Sequence, residues 1–138
     1  MIKNLPFLLS GIIISIILYQ SVLIAPAINE LININDASVF LRFIWPKFFV
    51  LISLLSLFSL IVIIYNKDSN SKKKYFVVTS FLTMLFCLSA VPFINEAKDI
   101  DNEFLWSILH LITVILTLVT LIINILIMTK WEFINKVE

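Results

Sequence analysis

The segment WSILHLITVILTLVTLIIN, residues 106–124, places the strongest limits on how this chain can fold. Its polar side chains His110, Thr113, Thr117, Thr120 and Asn124 are separated by three, four, three and four residues. At 3.6 residues per turn, this spacing puts them on one side of an otherwise Ile/Leu/Val helix. Because lipid cannot pair with these groups, we predict that the stripe faces protein and that other helices pack around it.

The composition indicates an integral membrane protein. The 138 residues are 61% hydrophobic and 14% charged, whereas globular domains are roughly half apolar and a quarter charged. The length suits one domain covering residues 1–138. A net charge of +1 argues against nucleic acid as a partner. The single cysteine, Cys87, lies in an apolar run and is expected to pack as a small hydrophobe.

Four apolar segments have the roughly 20-residue length that a bilayer-spanning helix needs. We predict one all-α four-helix bundle with transmembrane helices at about 5–33, 36–65, 75–98 and 102–131. Asn35 or Asp36 is the expected N-cap of the second helix and Asp101 that of the fourth, while Asn66–Lys74 forms a polar loop. A cleaved signal peptide is the alternative for the first segment, whose apolar run is long for that role.

The basic residues predict the orientation in the membrane. The N-terminus, the 66–74 loop and the tail hold seven bases, and the opposite side holds three: Lys3, Lys67, Lys72, Lys73, Lys74, Lys130 and Lys136 against Arg42, Lys47 and Lys98. By the positive-inside rule, both termini are cytoplasmic, and Lys72–Lys74 should also attract anionic lipid. The Ile, Lys and Asn content is typical of AT-rich bacterial genomes and favours a bacterial inner membrane. Lys130 and Trp131 are expected to form an interfacial anchor.

Prolines are expected near the outer ends of three helices. Pro26, Pro46 and Pro92 each remove a backbone hydrogen bond and should kink the first, second and third helix. One interpretation is that the prolines are ordinary kinks. The other is that they mark a rim of paired charged residues at the outer ends of the helices. In the first helix, Gly11 and Ser15 form a small-residue face that another helix can approach.

Three charged residues support the second interpretation of the prolines. Glu30, Arg42 and Glu96 each lie four residues outward of a proline, about 6 Å at 1.5 Å per residue. We therefore predict that Arg42 pairs with Glu96 or Glu30 at the outer rim. Such an exposed pair would affect geometry more than stability.

His110, the single histidine, is the leading candidate for a functional side chain. One interpretation is a neutral imidazole hydrogen-bonded to a neighbouring helix. The other is a haem or metal ligand in a redox protein. With no second His or Cys beside it, a zinc site is disfavoured. A haem would be five-coordinate or shared between two copies.

The stripe itself has two interpretations. Ser80, Thr83, Cys87 and Ala90 form a matching row on the third helix, which favours interhelical hydrogen bonds from Thr113, Thr117 and Asn124. A polar path for a solute is the alternative, although no carboxylate lies within the membrane core to relay protons. No nucleophile–base pair, phosphate-binding loop or metal-ligand spacing supports an enzyme.

Short motifs in all four helices carry a family resemblance. They are AP at 25–26, FIWPKFF at 43–49, VPFIN at 91–95 (ending in Asn95) and LH at 109–110. The chain resembles the bacterial four-helix membrane family described as domain of unknown function 4149, similar to the transmembrane-protein-205-like group. In that pattern Ser follows the His by three residues and Asn by seven, where this chain has Thr113 and Thr117. The family's Arg after the third-helix proline is represented only by Lys98.

These features predict a membrane protein of unknown biochemical role. The first hypothesis is a non-enzymatic structural or interaction subunit, bound to a membrane protein partner or forming a homo-oligomer in the lipid bilayer. The alternatives are a haem- or metal-binding redox protein using His110 and a small oligomeric transporter.

Overall fold

The computed structural model describes residues 4–66 and 71–135, and its residues are almost entirely helical. The elements are α1 (Leu5–Tyr19), a π-helical turn (Gln20–Ile24), α2 (Ala25–Leu31), α3 (Ile34–Tyr65), α4 (Ser71–Asp99) and α5 (Glu103–Asn135). Within this part of the chain, four helical segments of 27 to 30 residues are long and apolar enough to cross a bilayer, with α1, the turn and α2 counting as one. The chain is a four-helix bundle and a multi-pass membrane protein.

The four spans form a closed ring. α1 packs against α3 and α5, and α4 packs against the same two helices. Neighbours are antiparallel, since Arg42 near the start of α3 contacts Asp99 at the end of α4. Trp131 in α5 likewise contacts Asn4, just before α1. The first and last described residues therefore lie at the same end of the bundle.

The turn into α3 begins earlier than the sequence pattern indicates. The N-cap is Asn33, whose side-chain oxygen accepts a hydrogen bond of 3.0 Å from the backbone N–H of Asp36. The prediction of Asn35 or Asp36 as the cap is wrong. Asn33 has the extended backbone of an N-cap and leaves Asp36 in the first turn, where the helix dipole favours a carboxylate.

The turn between α4 and α5 also differs by one residue from the prediction. Asn102, and not Asp101, accepts a hydrogen bond of 3.0 Å from the N–H of Leu105 in the first turn of α5. Asp101 has a φ of 54°, in the left-handed region that Asp and Asn tolerate best among non-glycine residues. The chain reverses direction at Asp101, so the cap falls on the next residue.

The third predicted helix starts at least four residues before Tyr75. α4 already includes Ser71 and the three lysines that follow it, which were predicted to be loop. Lysine is a good helix former, and Lys73 is buried in the bundle. Of the predicted loop, residues 67–70 lie outside the described residues, as do Lys3 and Lys136.

A π-helical turn precedes Pro26. The N–H of Ala25 bonds to the carbonyl of Gln20, five residues earlier. Proline has no N–H and its ring crowds the carbonyl four residues before it, so a wider turn at this point accommodates the ring. Pro46 and Pro92 lie inside α3 and α4. Kinks at the prolines remain a prediction.

Apolar side chains fill the bundle in two clusters along its length. One is formed by Ile13, Ile17, Phe48, Phe49, Ile52, Met84 and Cys87, and the other by Ile63, Val77, Ile123, Ile127 and Trp131. Between α1 and α5, the side chain of Met128 packs over Gly11, since a Cβ built on Gly11 would lie 3.6 Å from the Sδ and Cε atoms of Met128. Of the predicted small-residue face, Gly11 therefore faces α5, whereas Ser15 is exposed.

Candidate functional site

A buried polar layer connects three helices in the middle of the bundle. Asn124 on α5 donates a hydrogen bond of 3.1 Å to the hydroxyl oxygen of Ser80 on α4. The Ser80 hydroxyl in turn lies 3.0 Å from the hydroxyl of Ser56 on α3. All three residues are 2% exposed or less. This polar layer gives the neighbouring helices a defined axial register.

A second interhelical contact lies one turn from the polar layer. The hydroxyls of Thr83 on α4 and Thr120 on α5 are 2.8 Å apart. Nearer the end of the bundle that holds the Arg42–Asp99 pair, the thiol of Cys87 lies 3.9 Å from the carbonyl oxygen of Thr113. The predicted packing of the Ser80–Ala90 row against the α5 stripe is confirmed.

The remaining hydroxyls of the stripe are satisfied within α5. Thr113 donates to the carbonyl oxygen of His110, and Thr117 donates to that of Thr113, both at 2.8 Å. Thr113 is buried and Thr117 is half-buried. Hydroxyls that bond back to their own helix need no partner from a neighbour. Asn124 thus makes the predicted interhelical hydrogen bond, whereas the hydroxyls of Thr113 and Thr117 donate within α5.

The stripe does not include His110. Its side chain is exposed on the outside of the bundle, which contradicts the prediction that all five polar residues face protein. The imidazole stacks on Trp106 of the same helix, with ring centroids 5.4 Å apart and planes 4° apart. His110 is exposed because the other helices do not enclose the first part of α5. Residues 103–112 include no buried side chain, and burial begins at Thr113.

Toward the start of α5, the surroundings of His110 are charged and aromatic. Lys98 has its ammonium group 5.0 Å from the ring of Trp106 and 2.7 Å from a carboxylate oxygen of Glu103. Among the described residues, no group of three or more His, Cys, Asp or Glu side chains is arranged to hold a metal ion.

The rim ion pair forms with a different acid from the one predicted. Arg42 donates a hydrogen bond to Asp99, at the end of α4, and not to Glu96 or Glu30. Asp99 lies one turn beyond Glu96, so the long arginine side chain pairs further outward than the alignment of prolines indicates. Glu96 and Glu30 are exposed.

The other sequence candidates lie around this rim. Asn95 and Pro46 are half-buried, and Pro26 and Pro92 are exposed. Each lies in the half of the bundle that holds the Arg42–Asp99 pair. Neither a hydrogen bond nor an ion pair brings Asn95 together with the polar layer among the described residues.

Three buried polar groups were missed by the sequence analysis. Within the described residues, the amide nitrogen of Gln20 and the hydroxyls of Ser53 and Ser59 are buried without a hydrogen-bond partner. Ser53, Ser56 and Ser59 are each three residues apart on α3, and all are buried. That spacing was the available signal, because three-residue steps stay close to one face of a helix.

Trp131, at the other end of the bundle, does not form the predicted interfacial anchor, because its indole is buried. Trp131 is 6% exposed, and the ammonium group of Lys73 lies 4.1 Å from its ring centroid. Its indole N–H donates a hydrogen bond of 3.4 Å to the side-chain oxygen of Asn4. Trp131 on α5 thus packs against α4 and the start of α1. Its neighbour Lys130 is exposed.

Comparisons of the chain with family models, with curated proteins and with solved structures found no match. The resemblance to the domain-of-unknown-function family and its transmembrane-protein-205-like relatives stays a prediction.

Proposed function

We propose that this chain is a non-enzymatic membrane subunit that binds another integral membrane protein through the outer part of α5. The observation that carries the proposal is the exposure of His110 on the outside of the bundle. Polar side chains within membrane helices almost always face protein or a water-filled cavity. An imidazole exposed on one chain is therefore well placed to be covered by a second protein.

The depth of His110 supports this proposal. His110 lies seven residues into α5 from Glu103, about 10 Å along the helix. Each interfacial layer of a bilayer is only about 5–7 Å thick. With the charged Glu103 at the membrane surface, the imidazole reaches the hydrocarbon region, where lipid offers it no hydrogen bond.

The uneven burial of α5 supplies the docking surface. Residues 103–112 include no buried side chain, whereas Thr113, Thr120, Ile123, Asn124, Ile127 and Trp131 are buried further along. The partner favoured by this chemistry is a transmembrane helix that carries a hydrogen-bonding side chain at the depth of His110. The polar layer at Ser56, Ser80 and Asn124 gives the rigid support that such a surface needs.

The proposed location is a bacterial inner membrane with both termini in the cytoplasm. The lysine-rich end of the bundle supports this orientation through the positive-inside rule. The opposite end carries Glu30, Glu96, Asp99 and Glu103 and would face outward.

Site-specific photocrosslinking in native membranes tests the proposal. A benzophenone amino acid would replace Leu111, which is 57% exposed beside His110, or Val50, which is 39% exposed on α3. Both lie eight residues inward of a rim residue, Glu103 or Arg42, and are thus at comparable depth, about 12 Å. We expect a protein adduct of one defined mass at Leu111 and only lipid adducts at Val50.

Substitution of His110 makes the test specific. His110→Ala should remove the adduct at Leu111 while leaving the melting temperature of the purified chain unchanged, because the imidazole stacks on Trp106 of its own helix and makes no interhelical hydrogen bond among the described residues. Absence of a protein adduct at Leu111 would overturn the proposal. An adduct with a second copy of the chain would indicate that the partner is the same protein, in a homo-oligomer.

A haem-binding redox protein is the second candidate, since an exposed imidazole is accessible to an iron centre. Such a haem would be five-coordinate, or it would take its second axial ligand from another copy of the chain. An absorption spectrum of the chain purified in mild detergent, with His110→Ala as the control, separates the candidates. A Soret band that disappears in the variant would favour haem, and a colourless protein would exclude it.

A further inference from the structure

A groove between α4 and α5 opens at the lysine-rich end of the bundle, away from His110. Its described lining comprises Lys72, Lys73, Phe76, Leu126, Ile127, Lys130 and Trp131. The two helices thus contribute basic residues at the end and apolar residues further in. No function assigned above uses this groove.

The basic residues are held beside aromatic rings. The ammonium group of Lys73 lies 4.1 Å from the ring centroid of Trp131, and that of Lys130 lies 5.1 Å from the ring centroid of Phe76. Lys72 and Lys73 also make further contacts within the protein. An ammonium group has three donors, so a bound anion can share these lysines with their protein contacts.

The apolar part of the groove lies deeper in the membrane than the lysines. Phe76 follows Lys72 by four residues, and Leu126 precedes Lys130 by four, so each is about 6 Å closer to the bundle centre. Charge at the rim and hydrocarbon below match a molecule with an anionic head and an aliphatic tail. Free phosphate would gain nothing from the apolar walls.

We infer that this groove binds an anionic glycerophospholipid. The phosphodiester lies between Lys72 on α4 and Lys130 on α5, and an acyl chain follows Phe76 and Leu126 toward the membrane centre. Basic pockets between transmembrane helices are suited to such headgroups, because each nearby lysine adds electrostatic attraction. Bound in this way, the lipid would bridge α4 and α5 at the end opposite His110.

Lipid binding to the purified full chain in detergent tests the inference. The probes are dioctanoyl-phosphatidylglycerol, dioctanoyl-phosphatidylcholine and inorganic phosphate, with binding followed by native mass spectrometry. We expect the Lys72→Gln/Lys130→Gln double variant to bind phosphatidylglycerol about thirtyfold more weakly than the unaltered chain. The matched control, Lys47→Gln/Lys98→Gln, removes the same charge at the opposite end and should bind as the unaltered chain does.

The outcomes are separable. Equal binding of both lipids, equal loss in the two double variants, or phosphate binding as tight as that of phosphatidylglycerol would each overturn the inference. Should the first variant fail to fold, Lys72→Arg/Lys130→Arg and a salt titration of the unaltered chain replace it. The Arg variant should keep the preference for phosphatidylglycerol, and high salt should weaken it by screening.

Discussion

Asn124 on α5 and Ser80 on α4 share a buried hydrogen bond of 3.1 Å, although they are 44 residues apart in sequence. The same Asn124 amide nitrogen also donates to the carbonyl oxygen of Thr120 at 2.9 Å. The amide therefore joins its own helix to a neighbour, and Ser80 extends the contact to Ser56 on α3. The Ser80 hydroxyl thus has partners on both α3 and α5 and links three of the four spans.

Replacing Asn124 by Ala should destabilise the bundle by about 1–2 kcal/mol, because the Ser80 hydroxyl loses a partner and a small cavity remains. Unfolding of the purified chain by SDS titration in mixed micelles measures this change. Thr129→Ala is the control, since Thr129 is exposed and bonds only within α5. In a double-mutant cycle with Ser80→Ala, additive losses would show that the hydrogen bond contributes nothing to stability.

The three buried serines of α3 should respond differently to substitution by alanine. Ser56→Ala removes a hydrogen-bonded hydroxyl and should cost about 0.5–1.5 kcal/mol in the same unfolding titration. Ser53→Ala and Ser59→Ala remove hydroxyls without a partner among the described residues. These two variants should be neutral or more stable, because an unsatisfied buried polar group is itself destabilising. A loss at Ser53 equal to that at Ser56 would indicate a bond through a bound water.

Gly11 should accept a methyl group but not a large side chain. A Cβ there would lie 3.6 Å from Met128, an ordinary van der Waals distance, and alanine favours a helix over glycine by about 1 kcal/mol. Gly11→Ala should therefore unfold at a temperature equal to or above that of the unaltered chain. Gly11→Leu should lose about 1–3 kcal/mol by forcing α1 away from α5, whereas Ser15→Leu, one turn further on at an exposed site, should not. Equal melting temperatures for both leucine variants would contradict this packing.

Lys73 should stabilise the bundle through its position over Trp131. Lys73→Met keeps an unbranched side chain but removes the cation, and we expect a loss of about 1 kcal/mol in the free energy of unfolding. Lys72→Met is the adjacent control, because Lys72 is exposed. The result would count against the contact if the two methionine variants lost the same stability.

Much of the architecture follows from the amino-acid sequence alone. A run of about 20 apolar residues predicts a membrane-spanning helix, because the bilayer offers the backbone no hydrogen-bond partners and a helix satisfies its own backbone groups. The three-four spacing from Thr113 to Asn124 also determines which face of α5 is buried, since helix geometry links spacing to direction. For the same reason, the row that begins at Ser80 was correctly predicted to meet this face.

Tertiary structure decided the details that depend on distances between helices. His110 continues the α5 stripe in sequence, yet it is exposed because the neighbouring helices enclose α5 only from Thr113 onward. Arg42 pairs with Asp99, the last residue of α4, rather than with Glu96 one turn earlier. Trp131 is buried because the end of α5 and the start of α1 lie at the same end of the bundle. Helix periodicity determines which side of its own helix a side chain occupies. The contacts that it makes depend on how far apart the helices lie at that depth in the bundle.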